Sequence, residues 1–266
     1  ILGTVVSGIL ISILDYFVFF IIMGVSVMII GIAGFFFMKE GENLQPNRDE
    51  KGFWHQVFSV FNFKTVKENK ELFCVFLISC VYFICFNFYY AHIGNYFIYV
   101  LGYDEGMSGI LQGAGLGLAI LSTIPATKAI NKGQHIKMIA MSIVFSVIGL
   151  FVIGIAGRTI GLLLSGIILA GIGYVLIMQT TTAWMKNLYP EGNYGQFEGV
   201  RIIFTVMIPM LLGPSSANLI IQAFGTPVEI NGNVGMAPSS VLFYTAAIMS
   251  VLTLIPTYFA SKHKKK

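Results

Sequence analysis

The sequence predicts an all-α, polytopic helical membrane protein, and three observations predict it. Of its 266 residues, 56% are hydrophobic and 11% are charged, whereas a soluble domain carries about 25% charged residues. The apolar residues form runs long enough for membrane helices, which need ~20 residues each. The basic residues collect in the segments between those runs, as in loops that stay on one side of a membrane.

The positions of Lys and Arg predict the orientation. Once the apolar runs are threaded through a bilayer, all of the sixteen Lys and Arg residues except Arg158 lie on the same side. Cytoplasmic loops keep these residues because their transfer across the membrane is disfavoured. We therefore predict an integral protein of the inner or plasma membrane with a cytoplasmic C-terminus. The clusters are Lys39, Arg48, Lys51, Lys64, Lys67 and Lys70; Lys128, Lys132 and Lys137; Lys186 and Arg201; and Lys262, Lys264, Lys265 and Lys266.

Residues 1–38 are apolar except for Asp15. They predict a partial helix through about Ser12, an external turn at Asp15 and a full helix from Tyr16 to Met38. No charged segment with a cleavage site precedes the first apolar run, so we do not expect this run to be a signal peptide. Because the first residue is Ile1, we expect the chain to begin inside a longer protein.

Residues 39–70 are polar and predict a long cytoplasmic loop. Within this loop, aromatic and aliphatic residues recur at helical spacing between Phe53 and Phe61. Such a stripe favours a short helix that lies on the membrane surface.

Residues 71–266 predict a bundle of six transmembrane helices. Short polar segments separate the apolar runs, so that consecutive helices cross the membrane in opposite directions. The predicted spans are Glu71–Leu101, Gly106–Lys128, His135–Ala156, Thr159–Trp184, Phe197–Phe224 and Pro238–Ala260.

Several classes of function are disfavoured by the composition. The net charge of +4 comes from loops beside the membrane, where basic residues meet anionic lipid rather than nucleic acid. Cys74, Cys80 and Cys85 share one apolar run and fit neither a disulfide framework nor a zinc site. The sequence has no HExxH or GxSxG motif and no paired intramembrane acids. We therefore predict no enzyme activity, no catalytic residue, no cofactor and no metal site.

Three segments resemble the glycoside–pentoside–hexuronide:cation symporters, the family of melibiose permease, within the major facilitator superfamily. Residues 96–102 (YFIYVLG) resemble the aromatic end of that family's seventh helix. Residues 126–133 (ATKAINKG) resemble the basic turn between its eighth and ninth helices. Residues 195–201 (GQFEGVR) resemble the start of its eleventh helix, although Arg201 follows the acid here and precedes it in the family.

The resemblance implies how the segments of the chain are arranged and what they do. Superfamily transporters have two six-helix halves joined by a cytoplasmic loop. Residues 1–38 would then be the end of the N-terminal bundle, with part of its fifth helix and its sixth. Residues 39–70 would be the central loop, and residues 71–266 the C-terminal bundle. The implied function is secondary active transport of a sugar or glycoside, with Na⁺ or H⁺ bound by the N-terminal half.

The seventh helix carries most of the candidate substrate-binding residues. They are polar residues in an otherwise apolar span, which is costly unless they face a cavity or a partner. Aromatic faces and amides would suit the C–H surface and hydroxyls of a sugar. Hydrogen bonds between helices explain the same pattern equally well. These candidates are Asn87, Tyr90, His92 and Asn95.

The eighth and tenth helices add three further candidates. Gln112 lies in a glycine-rich stretch that helix packing also explains. Tyr174 and Gln179 lie on the inner half of the tenth helix, followed by the run Thr180–Thr182. Threonine hydroxyls can bond to the preceding turn, so this run has a purely local explanation as well.

The eleventh helix contains a predicted hinge and a predicted cytoplasmic latch. Pro209, Gly213 and Pro214 interrupt the helix in mid-membrane, either as a flexing point or as a static kink. Glu198 and Arg201 lie three residues apart at its cytoplasmic end. They would latch the two halves together or form an exposed pair of little energetic weight.

Two other functions remain open from the sequence. One is a major facilitator that exports a drug or a metabolite. The other is a membrane assembly subunit that transports nothing. An intramembrane hydrolase is disfavoured because its motifs are missing.

Overall fold

The computed structural model describes residues 7, 10, 11, 13, 14, 16–37, 67–190, 194–230 and 232–263. The predicted partial helix before Asp15 lies largely outside this part of the chain. Asp15 itself, the predicted surface helix within residues 39–66, and Lys264–Lys266 lie wholly outside it.

Within the described residues, seven helices are long and apolar enough to cross a membrane, and the predicted fold class is confirmed. Helix α1 is Tyr16–Phe37. A short two-stranded antiparallel hairpin, β1 Thr226–Ile230 and β2 Asn233–Ala237, stands between the last two helices. The other helices are α2 Lys70–Val100, α3 Glu105–Asn131, α4 His135–Ala156, α5 Ile160–Leu188, α6 Tyr194–Phe224 and α7 Val241–His263.

Helix α1 differs from the others in its surroundings. Its mean hydropathy is 2.6, yet only 6% of it is buried. Large side chains such as Phe17, Ile30 and Phe37 are at least 70% exposed. A helix that is apolar on all sides is suited to a membrane or to burial against other helices.

The bundle α2–α7 has two ends that differ in charge. We call one the basic end: it contains the starts of α2, α4 and α6 and the ends of α3, α5 and α7. Among the described residues, every Lys and Arg except Arg158 lies at the basic end. At the opposite end, the Tyr103 hydroxyl donates to the Arg158 carbonyl at 2.9 Å and joins the α2–α3 turn to the α4–α5 turn.

The interior has two main apolar clusters, one towards each end. The cluster nearer the basic end includes Phe76, Ile139 and Trp184. The other includes Phe97 and Phe243, from α2 and α7. Because α2 contributes large aromatic side chains to both clusters, it is the central helix of the bundle.

Helices α4 and α5 pack with their backbones in close contact. A Cβ atom added at Gly166 would lie 2.9 Å from the Ile153 nitrogen, and one at Gly173 would lie 2.7 Å from the Ser142 carbonyl oxygen. Only glycine permits this approach, as at other membrane helix interfaces. The Ser142 hydroxyl donates to the Gly173 carbonyl at 2.7 Å across the same interface.

Four spans contain turns that depart from the α-helix, and in α7 the α-helix is interrupted by a turn at residues 252–253. Helix α2 ends in a π-helical turn at Tyr96–Val100, and α3 has a 3₁₀ turn at Ile120–Ser122. A second π-helical turn, Ile203–Met207, precedes Pro209 in α6. Proline has no N–H to donate to the residue four before it, so the irregular turn accommodates Pro209.

Candidate functional site

A cavity of about 650 Å³ lies between α2, α3 and α5. Its lining residues Ile120 and Met178 are 44% and 49% exposed, so the cavity is open along one side of the bundle. The 3₁₀ turn of α3 contributes Ile120 to the lining of the cavity. The lining residues are Phe86, Tyr90, Leu116, Ile120, Thr123, Tyr174, Val175, Met178, Gln179, Thr182 and Ala183.

Three aromatic rings form a stack on one wall of the cavity. The Phe86 ring lies between those of Tyr90 and Tyr174, with centroid distances of 4.7 Å and 4.3 Å. Tyr174 also meets Phe83 edge-on at 5.9 Å. Such aromatic pairs favour a fixed geometry, so this stack gives the cavity a rigid, flat apolar surface.

Hydroxyl groups lie beside this stack. Four of these hydroxyls have no hydrogen-bond partner among the described residues: those of Tyr90, Tyr174, Thr123 and Thr182. None of the four hydroxyl oxygens is fully enclosed by protein. Thr181, by contrast, donates to the Ile177 carbonyl at 2.8 Å. The cavity-lining hydroxyls are therefore available to a solute.

Gln179 forms the polar end of the cavity. Its Nε2 donates to the Thr127 hydroxyl at 2.7 Å, and that hydroxyl donates to the Thr123 carbonyl at 2.8 Å. These bonds fix the amide between α5 and α3. Its Oε1 is enclosed and has no hydrogen-bond partner among the described residues.

The cavity brings together Tyr90, Tyr174 and Gln179 from the predicted set. Gln112 lies in a much smaller adjoining cavity, whose lining also includes Tyr90. Its Nε2 contacts the carbonyl and hydroxyl of Ser108 at 3.3 Å and 3.2 Å. This amide is therefore already engaged within its own helix.

Asn87, His92 and Asn95 do not line the cavity. Asn87 donates to the Phe83 carbonyl at 2.9 Å and packs against Gly213 of α6. Asn95 is exposed, and His92 is half-buried with an enclosed Nε2 that has no hydrogen-bond partner among the described residues.

Eight of the eleven cavity-lining residues were missing from the predicted set, and Phe86 and Thr123 show why. Phe86 precedes Tyr90 by one helical turn and is the central ring of the stack, but an apolar residue in an apolar span gives no signal of its own. Thr123 follows a 3₁₀ turn that the sequence did not reveal. Its position three residues before the basic turn gave no sign that it lines the same cavity as Gln179.

The predicted latch residues bond to each other and to the end of α5. Arg201 holds Glu198 through two contacts, Nη2 to Oε1 at 2.8 Å and Nε to Oε2 at 2.9 Å. The Tyr189 hydroxyl donates to the same carboxylate at 2.7 Å. Burial, and then this hydrogen bond, raise the pKa of Tyr189, so its phenol stays protonated. The group ties α5 to α6 at the basic end.

The predicted hinge residues have different surroundings. Pro209 is buried just after the π-helical turn, whereas Pro214 lies inside the following α-helical segment. A Cβ atom added at Gly213 would lie 2.9 Å from the Ile84 carbonyl oxygen. Gly213 thus provides a close contact between α6 and α2.

Comparison with known proteins gives one positive finding. The sequence model of the family described as Major Facilitator Superfamily matches residues 1–214. A search of curated proteins found no match. The family match covers α1–α5 and most of α6, and includes every residue that lines the cavity.

Proposed function

Because this chain belongs to the major facilitator superfamily and is a membrane transporter, we propose that it moves a sugar or glycoside by alternating access. One observation carries this proposal: a single cavity combines a flat aromatic stack with free hydroxyls and a fixed amide. A sugar presents a C–H face and several hydroxyls, which these two kinds of surface complement. Binding sites of this kind are largely apolar, with a few well-placed polar groups.

The residues that line the cavity favour an uncharged solute. Among the described lining residues there is no Asp, Glu, Lys, Arg or His. An ionised solute would lose hydration here without gaining an opposite charge, which is unfavourable. Within this proposal, the residues that bind a coupling Na⁺ or H⁺ for transport lie outside this cavity.

The arrangement of the chain supports its assignment as the C-terminal half of such a transporter. The cavity is bounded by α2, α3 and α5 and is open along one side, where a second bundle would complete the wall. The exposed apolar helix α1 would belong to that second bundle. Rocking of the two bundles around a site near the membrane midplane would give alternating access.

Export of a drug or metabolite is the second candidate, and the apolar lining favours it. Leu116, Ile120, Val175 and Met178 cover much of the cavity wall. A neutral apolar solute would gain about 25 cal/mol for each Å² of its surface that they bury. The two candidates differ in whether the cavity hydroxyls contribute to affinity.

Binding to the protein in lipid nanodiscs tests the proposal. A panel of neutral mono- and disaccharides, glycosides and sugar-free aromatic compounds would be compared by thermal shift and then by calorimetry. We expect a neutral saccharide or glycoside to bind, and Gln179→Ala to lower its affinity by ~1–3 kcal/mol, since a buried polar partner loses its bond. Asn95→Ala, on the exposed face of α2, is the matched control.

Three results would decide between the candidates. Binding of a saccharide that is sensitive to Gln179→Ala supports sugar transport. Binding of the sugar-free compounds alone, with Gln179→Ala and Asn95→Ala equivalent, supports export of an apolar solute. If every compound binds, and substitution of Tyr174 or Gln179 does not change its affinity, the assignment of this cavity as the solute site is contradicted.

A further inference from the structure

A buried carboxylate lies at the basic end, apart from the solute cavity. Glu71 is the second residue of α2, and only 9% of it is exposed. Trp184 of α5 donates its indole N–H to Glu71 Oε1 at 2.9 Å. An ionisable group held among membrane helices is costly and is therefore a candidate for function.

Three helices meet around the Trp184 ring. The His135 ring at the start of α4 is stacked on the Trp184 ring, with a centroid distance of 5.1 Å and an interplanar angle of 15°. Both residues are buried: the exposed fraction is 7% for His135 and 2% for Trp184. Glu71, Trp184 and His135 thus join α2, α4 and α5.

A second, polar cavity reaches Glu71 from the basic end. Its volume is about 260 Å³, which is room for several waters at ~30 Å³ each. Leu188 at the end of α5 and His263 at the end of α7 form part of its wall. Water entering this cavity would give protons access to a carboxylate that the helices otherwise enclose.

We propose that Glu71 is a proton-binding site whose occupancy controls how firmly the end of α5 is held to α2. A hydronium ion in the polar cavity transfers its proton to a Glu71 carboxylate oxygen and leaves a water. The carboxyl loses its negative charge, and the hydrogen bond from Trp184 becomes an ordinary neutral one. Charge-assisted hydrogen bonds are roughly twice as strong as neutral ones, so protonation loosens this joint.

The position of Trp184 connects this site to the solute cavity. Ala183, its neighbour in the chain, lines that cavity, as does Thr182. A change in how the end of α5 is held therefore reaches the cavity wall directly. Proton occupancy of Glu71 would change access to the solute site from the basic end, whatever the solute is.

Other titratable groups face the same place, and a test must separate them from Glu71. His135 approaches Trp184 from α4, His263 borders the polar cavity from α7, and Cys74 follows Glu71 by three residues in α2. The lysines and Glu68 border the polar cavity but are not bonded to Trp184. Among the described residues, the charged and titratable groups that face this place are Lys67, Glu68, Lys70, Cys74, His135 and His263.

Tryptophan fluorescence offers a direct readout, because the chain has only two tryptophans. Trp54→Phe leaves Trp184 as the sole emitter, and the full chain in nanodiscs would be titrated between about pH 4 and pH 9. We expect a transition in Trp184 emission that Glu71→Gln abolishes, since glutamine can still accept the indole N–H bond but cannot titrate. Glu68→Gln, in the wall of the same cavity, should leave the transition unchanged.

Two results would overturn the proposal. One is a transition that persists in Glu71→Gln, and the other is an emission that does not change with pH in the Trp54→Phe protein. Should Glu71→Gln fail to fold, Glu68→Gln, His135→Phe and His263→Phe would be combined in the Trp54→Phe protein. Glu71 is then the remaining carboxyl of the polar cavity among the described residues. A retained transition supports the proposal, and its loss contradicts it.

Discussion

Replacing Gly173 by Ala should destabilise the bundle, because α4 and α5 are in backbone contact at that point. An added Cβ atom would lie 2.7 Å from the Ser142 carbonyl oxygen and 2.9 Å from the Ser146 nitrogen. Both are backbone atoms of α4, so relief requires movement of a helix rather than a side-chain rotation. The Ser146 hydroxyl, which shares a 2.6 Å hydrogen bond with the Tyr82 hydroxyl, lies in the same place.

The expected loss of stability has three contributions. Overpacking a well-packed interior costs ~1–3 kcal/mol. Displacing Ser146 from the buried Tyr82 hydroxyl costs ~1–3 kcal/mol if that hydroxyl loses its partner. The higher helix propensity of Ala returns up to ~1 kcal/mol. With the two losses near the middle of their ranges and the gain in helix propensity near its upper value, the net loss is about 3 kcal/mol.

Gly161→Ala is the matched control, since it makes the same change in the same helix where nothing lies within 4 Å of the added Cβ. Thermal unfolding in detergent would be followed for both variants. A loss of about 3 kcal/mol corresponds to a Tm lower by roughly 6–12 °C for a chain of this size. If Gly173→Ala and Gly161→Ala melt within about 2 °C of each other, the close approach of α4 and α5 is wrong.

Three further predictions concern orientation, the tie at the basic end and transport. A reporter fused after Lys266 should be cytoplasmic and one inserted at Asn231 external, because the Lys and Arg clusters face inward; a cytoplasmic signal at Asn231 would reverse the assigned topology. Glu198→Gln should lower stability by ~1–2 kcal/mol in thermal unfolding by weakening its bonds to Arg201 and Tyr189, and an unchanged Tm would show that the tie is energetically neutral. The 266-residue chain alone in proteoliposomes should give no concentrative uptake of a solute that it binds, since α2, α3 and α5 bound only part of the cavity; robust uptake would show that the chain forms a complete pathway.

Much of the fold could be predicted from hydropathy and charge. The α4 helix has the predicted bounds, His135–Ala156. Its limits are marked by the polar residues before it and by Gly157, whose φ of 53° favours glycine. The β-hairpin at residues 226–237 was not predicted, because a short run of Gly, Asn and Pro is also typical of an irregular loop. The π-helical turns depend on packing and leave no pattern in the sequence.

The candidate site could be predicted in part, for a physical reason. A polar stripe on a membrane helix shows that something must satisfy it, but not whether that partner is a cavity or another helix. Tyr90, Tyr174 and Gln179 line the cavity, whereas Asn87 packs on Gly213 of α6. Sequence periodicity places residues on one face, and only the neighbouring helices determine what that face meets.

Accessibility of cysteines placed in the wall tests most directly whether the 650 Å³ cavity is part of a solute pathway. With Cys74, Cys80 and Cys85 replaced by Ala, Thr182→Cys would report on the cavity and Ile248→Cys on an exposed face of α7. We expect a charged, membrane-impermeant thiol reagent to label Thr182→Cys in nanodiscs, more slowly when a bound solute is present, and to leave Ile248→Cys unlabelled. Equal labelling of the two positions, or labelling of Thr182→Cys that no bound solute slows, would contradict the account.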